Sequence, residues 1–425
     1  MKILYTNFHL GDGGGHTTYV TSLARALGAR ADVTVAAPRG SRLLDEAAAL
    51  PGVRTVALQF KGAPARQWRT LRQLRALLRA EAFDVVHVNG SADHRLCMLA
   101  AAGLGPLRPF MVYTQHNGRH PRSLGARLRA ALATDRVICV SQHTYEGMGR
   151  SAFRPQDLRL VRNGVDTAHY RPAAPDEAAR AREALLPPAL RDRLVVGSHA
   201  GTASYKNWLD MVAAVALLPP DQRGQIAVLI AGLPPAAADL RRVEALGMAG
   251  AVVFTGLLRD VRPLLAAMDV GFVLSSRLET ISFACREMMA AGKPVIVSDT
   301  GGLAENVTEG GNGWIVPVSA PPRVAETLAE ILENRILLDW MAAAARRRAV
   351  RDFSLEAFVR ETERIYDEAG PLRAPRLRYK LMSAGVLVST AVQNSAACLG
   401  EGSGRAVIAR PERGLTRCTS WCCKG

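Results

Sequence analysis

No stretch of this chain is both long and apolar enough to span a bilayer, so no transmembrane segment is expected. Met1 to Leu10 carries one Lys and a short apolar run, then enters glycine-rich chain without a cleavage-like site. It is expected to form a buried strand, not a signal peptide. Cysteine is sparse and scattered. Cys97, Cys139 and Cys285 stand singly in apolar contexts, as small buried residues of a reducing compartment do. Cys398, Cys418, Cys422 and Cys423 match no zinc-ligand spacing. Aromatics make up only 5% of 425 residues, and no nucleic-acid-binding module can be read. That argues against a nucleic-acid partner despite a net charge of +16. The dinucleotide fingerprint G-x-G-x-x-G is missing too, because the glycines after the first apolar run read GDGGGH.

The first part of the chain is also short of acids. Residues 1–172 hold 24 Lys and Arg against 11 Asp and Glu, residues 173–370 hold 21 against 25, and residues 371–425 hold 9 against 2. A basic first half beside a mildly acidic second suggests that one domain faces a polyanion: nucleic acid, an anionic membrane or a phosphorylated substrate. Arginine used as a general solubilising charge is the plainer explanation.

What is present is a rhythm. Short β-rich runs alternate with helix-length segments: Ile3–Phe8, Val33–Ala37, Val53–Leu58, Val85–Val88, Met111–Gln115 and Val137–Ser141, then Leu194–Gly197, Ile226–Gly232, Val252–Gly256, Val270–Leu274, Val295–Ser298 and Trp314–Val316. Such runs fit parallel strands buried on both faces. The expected class is α/β, with two doubly wound Rossmann-like domains, residues 1–172 and 173–370, facing a central cleft. A single dehydrogenase-type domain would show the alternation in one half only. Residues 371–425 lose the pattern and are expected to be a poorly ordered basic tail.

The segment richest in chemistry is Ser275–Asp299, SSRLETISFACREMMAAGKPVIVSD. A loop carries Glu279, and a helix is expected from about Ser282 to Ala291. Glu279 and Glu287 are eight residues apart, about 12 Å at helical rise, which matches the sugar-to-ribose distance of an extended nucleotide-sugar. The free N–H groups of Thr280, Ile281, Ser282 and Phe283 lie between them, where a pyrophosphate would sit. Two Glu at this spacing also occur as ordinary helix charges.

With AAGKPVIVSDTGGLAENV after it, this E-x7-E element resembles family 4 of the retaining GT-B glycosyltransferases. Gly14–Gly15 with Leu23-Ala24, Phe83 to His87, Thr114 to Asn117, Asn163-Gly164-Val165-Asp166, Phe254-Thr255-Gly256, Asp269 and Asn312-Gly313 agree in order and spacing, over residues 1–368. The resemblance implies that Glu287 binds the donor ribose and Glu279 the donor sugar. It implies that Lys206 offsets the diphosphate charge and His116 lies near acceptor and sugar, while Gly14 and Gly15 let backbone approach the phosphates. Gly301 and Gly302 would shape a supporting loop, with Glu305 behind it. It further implies no metal and no cofactor beyond the nucleotide-sugar co-substrate, and no D-x-D motif stands at a strand end. One departure stands out: the family's Arg shortly before the Lys is absent from His199 to Lys206, and His199, Arg259 or Arg277 are candidates to replace it.

Ala63–Ala80 sets Trp68, Leu71, Leu74, Leu77 and Leu78 on one stripe, flanked by Arg66, Arg69, Arg72, Arg75 and Arg79 without an acid. Asn117–Ala133 adds Arg119, Arg122, Arg127 and Arg129. The family's lipid-modifying members suggest peripheral attachment to the inner face of the cytoplasmic membrane, with a lipid-linked, lipopolysaccharide or polysaccharide acceptor. An ordinary helix with an arginine-rich solvent face would read the same way. Two other functions fit the same donor site: a nucleotide-sugar 2-epimerase of GT-B fold, and a non-catalytic sugar-nucleotide-binding protein.

Overall fold

The computed structural model describes residues 1–277 and 279–370, and contains two parallel sheets, each wound with helices. In the first, strands β1 (Lys2–Thr6), β2 (Asp32–Ala37), β3 (Val53–Ala57), β4 (Val85–Val88), β5 (Phe110–Gln115), β6 (Arg136–Cys139) and β7 (Asp157–Leu160) lie in the order β3-β2-β1-β4-β5-β6-β7. Helices α1 (Gly15–Leu27), α2 (Arg42–Ala48), α3 (Pro64–Glu81), α4 (Ser91–Ala101), α5 (Leu124–Ala133) and α6 (Gln142–Gly149) connect them.

The second sheet runs β10-β9-β8-β11-β12-β13, built from β8 (Leu194–Ser198), β9 (Ile226–Ala231), β10 (Val252–Gly256), β11 (Val270–Val273), β12 (Val295–Ser298) and β13 (Gly313–Val316). Its helices are α7 (Pro175–Leu185), α8 (Trp208–Leu217), α9 (Pro220–Arg223), α10 (Ala237–Ala245), α11 (Arg262–Ala267), α12 (Phe283–Ala290), α13 (Pro321–Glu333) and α14 (Leu337–Asp352). A last helix, α15 (Leu355–Asp367), follows.

Every residue of β4, β5 and β9 is buried, as a strand covered by helices on both faces requires. The twelve expected strands are all present. A thirteenth, β7, was not anticipated. It sits at the sheet edge, so its DLRL sequence alternates exposed and half-buried residues and lacks the apolar run that marks the interior strands.

The division at residue 172 fails at one place. The expected second domain ran through residue 370, yet α15 packs on the first sheet. Phe358, Val359, Ile365 and Tyr366 join the core formed by α1 and β1, and Tyr366 bonds to His87 Nδ1 at 2.5 Å. Apolar spacing in α15 marks a helix and carries no information about which sheet it covers. The two crossings lie side by side: Val165 N donates to Phe353 O at 2.9 Å, and Leu355 N donates to Val165 O at 2.9 Å. A Cβ on Gly164 would lie 2.5 Å from Ser354 O, so this close approach needs glycine. The expected tail, 371–425, lies outside the described residues.

Strand order reverses beside β1/β4 in one sheet and β8/β11 in the other. The loops after these strands form the crevices in which open α/β sheets bind ligands.

Candidate active site

The loop after β11 positions the first carboxylate. Glu279 is almost fully buried and accepts from Ser275 Oγ at 2.8 Å and from Lys206 Nζ. Lys206 ends a short 3-10 turn, Ser204–Lys206, and the next residue, Asn207, takes φ +49. Asn tolerates that left-handed conformation, which swings the chain into α8. Behind Glu279 lies the loop after β12. A Cβ on Gly301 would sit 1.9 Å from Glu279 O, and one on Gly302 would sit 2.0 Å from Thr280 O. These two glycines let one loop clamp the backbone of the other, and Gly302 N donates to Glu279 O at 3.2 Å.

Glu287 lies in the second turn of α12. It meets His199 Nε2 at 2.6 Å, from the loop after β8. Tyr170 is held above its usual range by burial, then by the Glu287 carboxylate beside it. Of the three candidates for the missing cation, His199 is therefore engaged at the Glu287 end. Arg259 and Arg277 are exposed and have no partner among the described residues.

Between the two carboxylates the helix begins where expected, at Phe283 with Ser282 as its cap. Residues 279–282 are loop, so helical rise does not span the whole interval from Glu279 to Glu287. Ser282 caps α12 at φ +63, its hydroxyl accepting from Cys285 N at 3.3 Å. The strained cap turns the chain so that the N–H groups of Thr280, Ile281, Ser282 and Phe283 make no hydrogen bond to a described residue. Unpaired donors at a helix N-terminus form a ready anion site.

The first half meets this site through two loops. Thr280 Oγ1 donates to His116 O at 3.1 Å, and a Cβ on Gly15 would lie 3.5 Å from the Phe283 ring. Gly14 takes φ +51 and its N–H bonds to Asp12 Oδ2 at 3.0 Å, while Asp12 is anchored by Arg42 at 2.7 Å. His116 Nε2 bonds to Asn89 Oδ1 at 2.8 Å. Asn89 is itself fixed, because its Nδ2 donates to Thr6 O at 3.1 Å. The proton of His116 therefore belongs on Nε2, which leaves Nδ1 as an acceptor.

Burial holds His116 well below its ordinary pKa, and the neighbouring His16, His87 and His9 add to the effect. The His16 ring packs against that of His116, tilted by 39° with centroids 4.1 Å apart, and burial pushes it down to about 3. His9 packs on His16 in turn, 4.4 Å between centroids. The first half thus presents a stack of neutral imidazoles to the cleft.

Several of these contributors lie outside the residues that the sequence motifs single out. His16 directly follows the glycine run, a position that could have singled it out. Asn89 and Ser275 act by orienting the named residues, and single polar residues at strand ends carry no such signal. Arg286 was passed over inside E-x7-E. It is fully buried, donates to Asn306 Oδ1 at 2.8 Å and Asn163 O at 2.5 Å, and stacks on Phe353. It ties α12 to both crossings. Glu305 is placed away from the donor groups: its carboxylate accepts from Gln142 N at 2.8 Å and His143 N at 2.7 Å, capping α6 from the other half.

Comparison with known proteins gives the family and the fold. Residues 13–169 match the model for Glycosyltransferase Family 4, and residues 192–334 match that for Glycosyl transferases group 1. The alpha-maltose-1-phosphate synthase of Mycolicibacterium smegmatis is 29% identical over 336 residues, 72% of this chain and 84% of that protein. The GDP-mannose-dependent alpha-(1-6)-phosphatidylinositol monomannoside mannosyltransferase of Mycobacterium tuberculosis is 28% identical over 370 residues, 81% of this chain and 92% of that one. Among solved structures, Anabaena Alr3699/HepE in complex with UDP superposes with a TM-score of 0.74 at 20% identity, over 87% of this chain and all of that one. That likeness shows the GT-B fold.

Proposed function

The chain is a glycosyltransferase of family 4, and from that premise we propose that it retains anomeric configuration while moving a hexosyl or N-acetylhexosaminyl group from a nucleotide-sugar to a lipid-linked or envelope-glycan acceptor. The observation that carries the donor half of this reading is the bracket about the start of α12: buried Glu279 on one side of the free N–H groups and half-buried Glu287 on the other. In it Glu287 takes the ribose hydroxyls, with His199 orienting its carboxylate. Glu279 takes sugar hydroxyls. The N–H groups of residues 280–283 take the diphosphate, with Gly14 and Gly15 closing from the first half.

Breaking the glycosidic bond puts negative charge on the departing diphosphate and positive character on the sugar. Lys206 and the N-terminus of α12 stabilise the first through fixed charges and dipoles, which is effective in a water-poor cleft. We assign no metal and no protein base: the leaving phosphate takes the acceptor proton on the face it departs from. His116, neutral, accepts a hydrogen bond from a sugar hydroxyl through Nδ1. Arg259, exposed and without a partner, approaches the donor when it binds. The lipid-linked acceptor draws support from the mycobacterial mannosyltransferase, whose name specifies a phosphatidylinositol mannoside. No helix among the described residues is long and apolar enough to cross a membrane. With a lipid-linked acceptor, as the name of that mannosyltransferase specifies, the enzyme works peripherally on the inner face of the cytoplasmic membrane.

The test is a thermal-shift panel of UDP-, GDP- and ADP-sugars on wild type and Glu287→Ala. One nucleotide-sugar should stabilise the wild type and lose its effect in the variant. A panel without any shift would remove the donor assignment.

A further inference from the structure

One loop, His199 to Lys206, grips both carboxylates of the donor site. Lys206 holds Glu279 ahead of the free N–H groups of residues 280–283, and His199 Nε2 meets Glu287 Oε2 at 2.6 Å beyond them. The loop itself is fixed. Gly201 takes φ +92, Thr202 Oγ1 donates to Leu233 O at 2.6 Å, and Trp208 Nε1 donates to Thr202 O at 3.1 Å. The His199 side chain is only 6% exposed, so packing holds its ring against Glu287.

The two ends of this grip differ in kind. Lys206 is a cation that neutralises Glu279, whereas His199 is charged only when protonated. With a neutral ring, one lysine stands against two carboxylates, and the site is net negative. A nucleotide-sugar carries further negative charge into it through the diphosphate. The free N–H dipoles offset part of that charge. An arriving anion next to Glu287 also favours the protonated form of the imidazole between them.

The ring has a place for that proton. Nε2 is used on Glu287, and Nδ1 is buried with no partner among the described residues. His16 and His94 also bury a bare Nδ1, but neither ring meets a carboxylate. Buried polar atoms without a partner are rare and call for an explanation. A proton added to His199 Nδ1 finds no acceptor in the protein, so its acceptor must arrive with the ligand.

The other ionisable groups around the pair do not titrate with it. Tyr170, on the crossing before α7, is held as a neutral phenol by burial and then by Glu287. Beyond it Asp260 pairs with Arg262 at 2.7 Å, and Asp166 accepts from the N–H groups of Ala168 and His169. Arg259 and Arg277 are exposed, and a guanidinium keeps its charge throughout the neutral range.

We propose that His199 is the second cation of the diphosphate site beside Lys206, and that donor binding charges it. A proton passes from solvent to Nδ1 as the donor enters. Nε2–H stays on Glu287, and Nδ1–H donates to a diphosphate oxygen. The arginine missing before Lys206 is thus replaced by a cation that forms when the site is loaded. The inference deepens the donor reading and rests on it. The sign follows from linkage: donor affinity is full where His199 is protonated before binding, and it falls as pH rises, about tenfold per pH unit while one proton is taken up.

Calorimetric titration of the full chain with UDP-, GDP- and ADP-glucose tests it, in buffers of unlike ionisation enthalpy. The diphosphate diesters of these probes do not titrate near neutrality, so any proton taken up belongs to the protein. Wild type should take up a proton with the nucleotide-sugar it binds, and its affinity should fall at least about tenfold from about pH 6.5 to about pH 8.5. His199→Gln should bind without proton uptake, with an affinity that ignores pH and does not exceed that of wild type at the alkaline end. His199→Arg should also take up no proton, yet keep its affinity at alkaline pH, a rescue that a merely structural histidine would not give. Melting of the unliganded variants checks that they fold, and a defect in one leaves the other to decide. Wild type that binds without proton uptake, or uptake that survives in His199→Gln, would overturn this inference and leave the donor reading standing. A chain that binds none of the three probes would overturn both.

Discussion

The two halves share one architecture and hold their functional groups in opposite ways. In the second half the site is built on two carboxylates, Glu279 held by Lys206 and Glu287 held by His199. In the first it is built from rings that burial keeps neutral, His116, His16 and His87, oriented by amide and hydroxyl partners. A diphosphate and a developing cation call for fixed charge. A neutral acceptor hydroxyl calls for hydrogen-bond geometry and is ill served by a competing cation. On the proposed reading, the same winding supports two chemistries, set by which residues end the strands.

The comparison can be broken hardest in the charged half. Lys206→Ala should lower kcat by about 10²- to 10³-fold, the usual loss when one transition-state electrostatic partner is removed. Steady-state transfer rates would show it, and a loss below tenfold would remove Lys206 from the chemistry. Gly302→Ala comes next. Its Cβ would meet Thr280 O at 2.0 Å, so the loop carrying Glu279 must move, and a displacement of about 1 Å costs on the order of 10²-fold. Crystallography of the variant should find residues 279–282 shifted.

His116→Ala should cost less, about ten- to a hundredfold in kcat/KM. Burial holds His116 well below its ordinary range, so its removal should leave the pH profile around neutrality unchanged in shape. A wild-type limb near pH 6.5 that vanishes in the variant would contradict the neutral-stack account.

Loss of the Glu305 clasp is the smaller perturbation. Glu305→Gln should raise KM severalfold with little change in kcat, because it loosens the contact between halves and touches no reacting group.

A last prediction concerns stability and not catalysis, and it sharpens the view of the first half. Burial raises Asp93 to about 7, so the folded protein holds this proton more tightly than the unfolded chain. The sign follows: the contribution is full at acid pH and is lost as pH rises from about 4 to about 7, by at most about 1.4 kcal/mol per pH unit. Asp93→Asn, which keeps an acceptor for Asn89 N, should flatten that slope and exceed wild-type stability above pH 7 in urea titrations.

The strand pattern was legible because buried parallel strands need unbroken apolar runs, and VVHV, FMVYTQ and IAVLIA provide them. β7 was not, because an edge strand meets no such demand. The pairing of Glu279 and Glu287 about a helix start could be read from spacing, but the φ +63 turn at Ser282 that opens the N–H groups could not. Arg286 looks in sequence like a surface charge on α12, and only the placement of Asn163, Asn306 and Phe353 around it makes it a tie between halves. Contacts that join distant segments leave no local pattern. For the same reason nothing local in the sequence of α15 tells which sheet it covers.

The division of labour is tested most directly by calorimetric titration of the stabilising nucleotide-sugar into Glu287→Ala and His116→Ala, with transfer measured on both. The account predicts that transfer falls in both variants while donor binding is lost only in Glu287→Ala. Donor binding that survives in Glu287→Ala, or that disappears equally in His116→Ala, would contradict it.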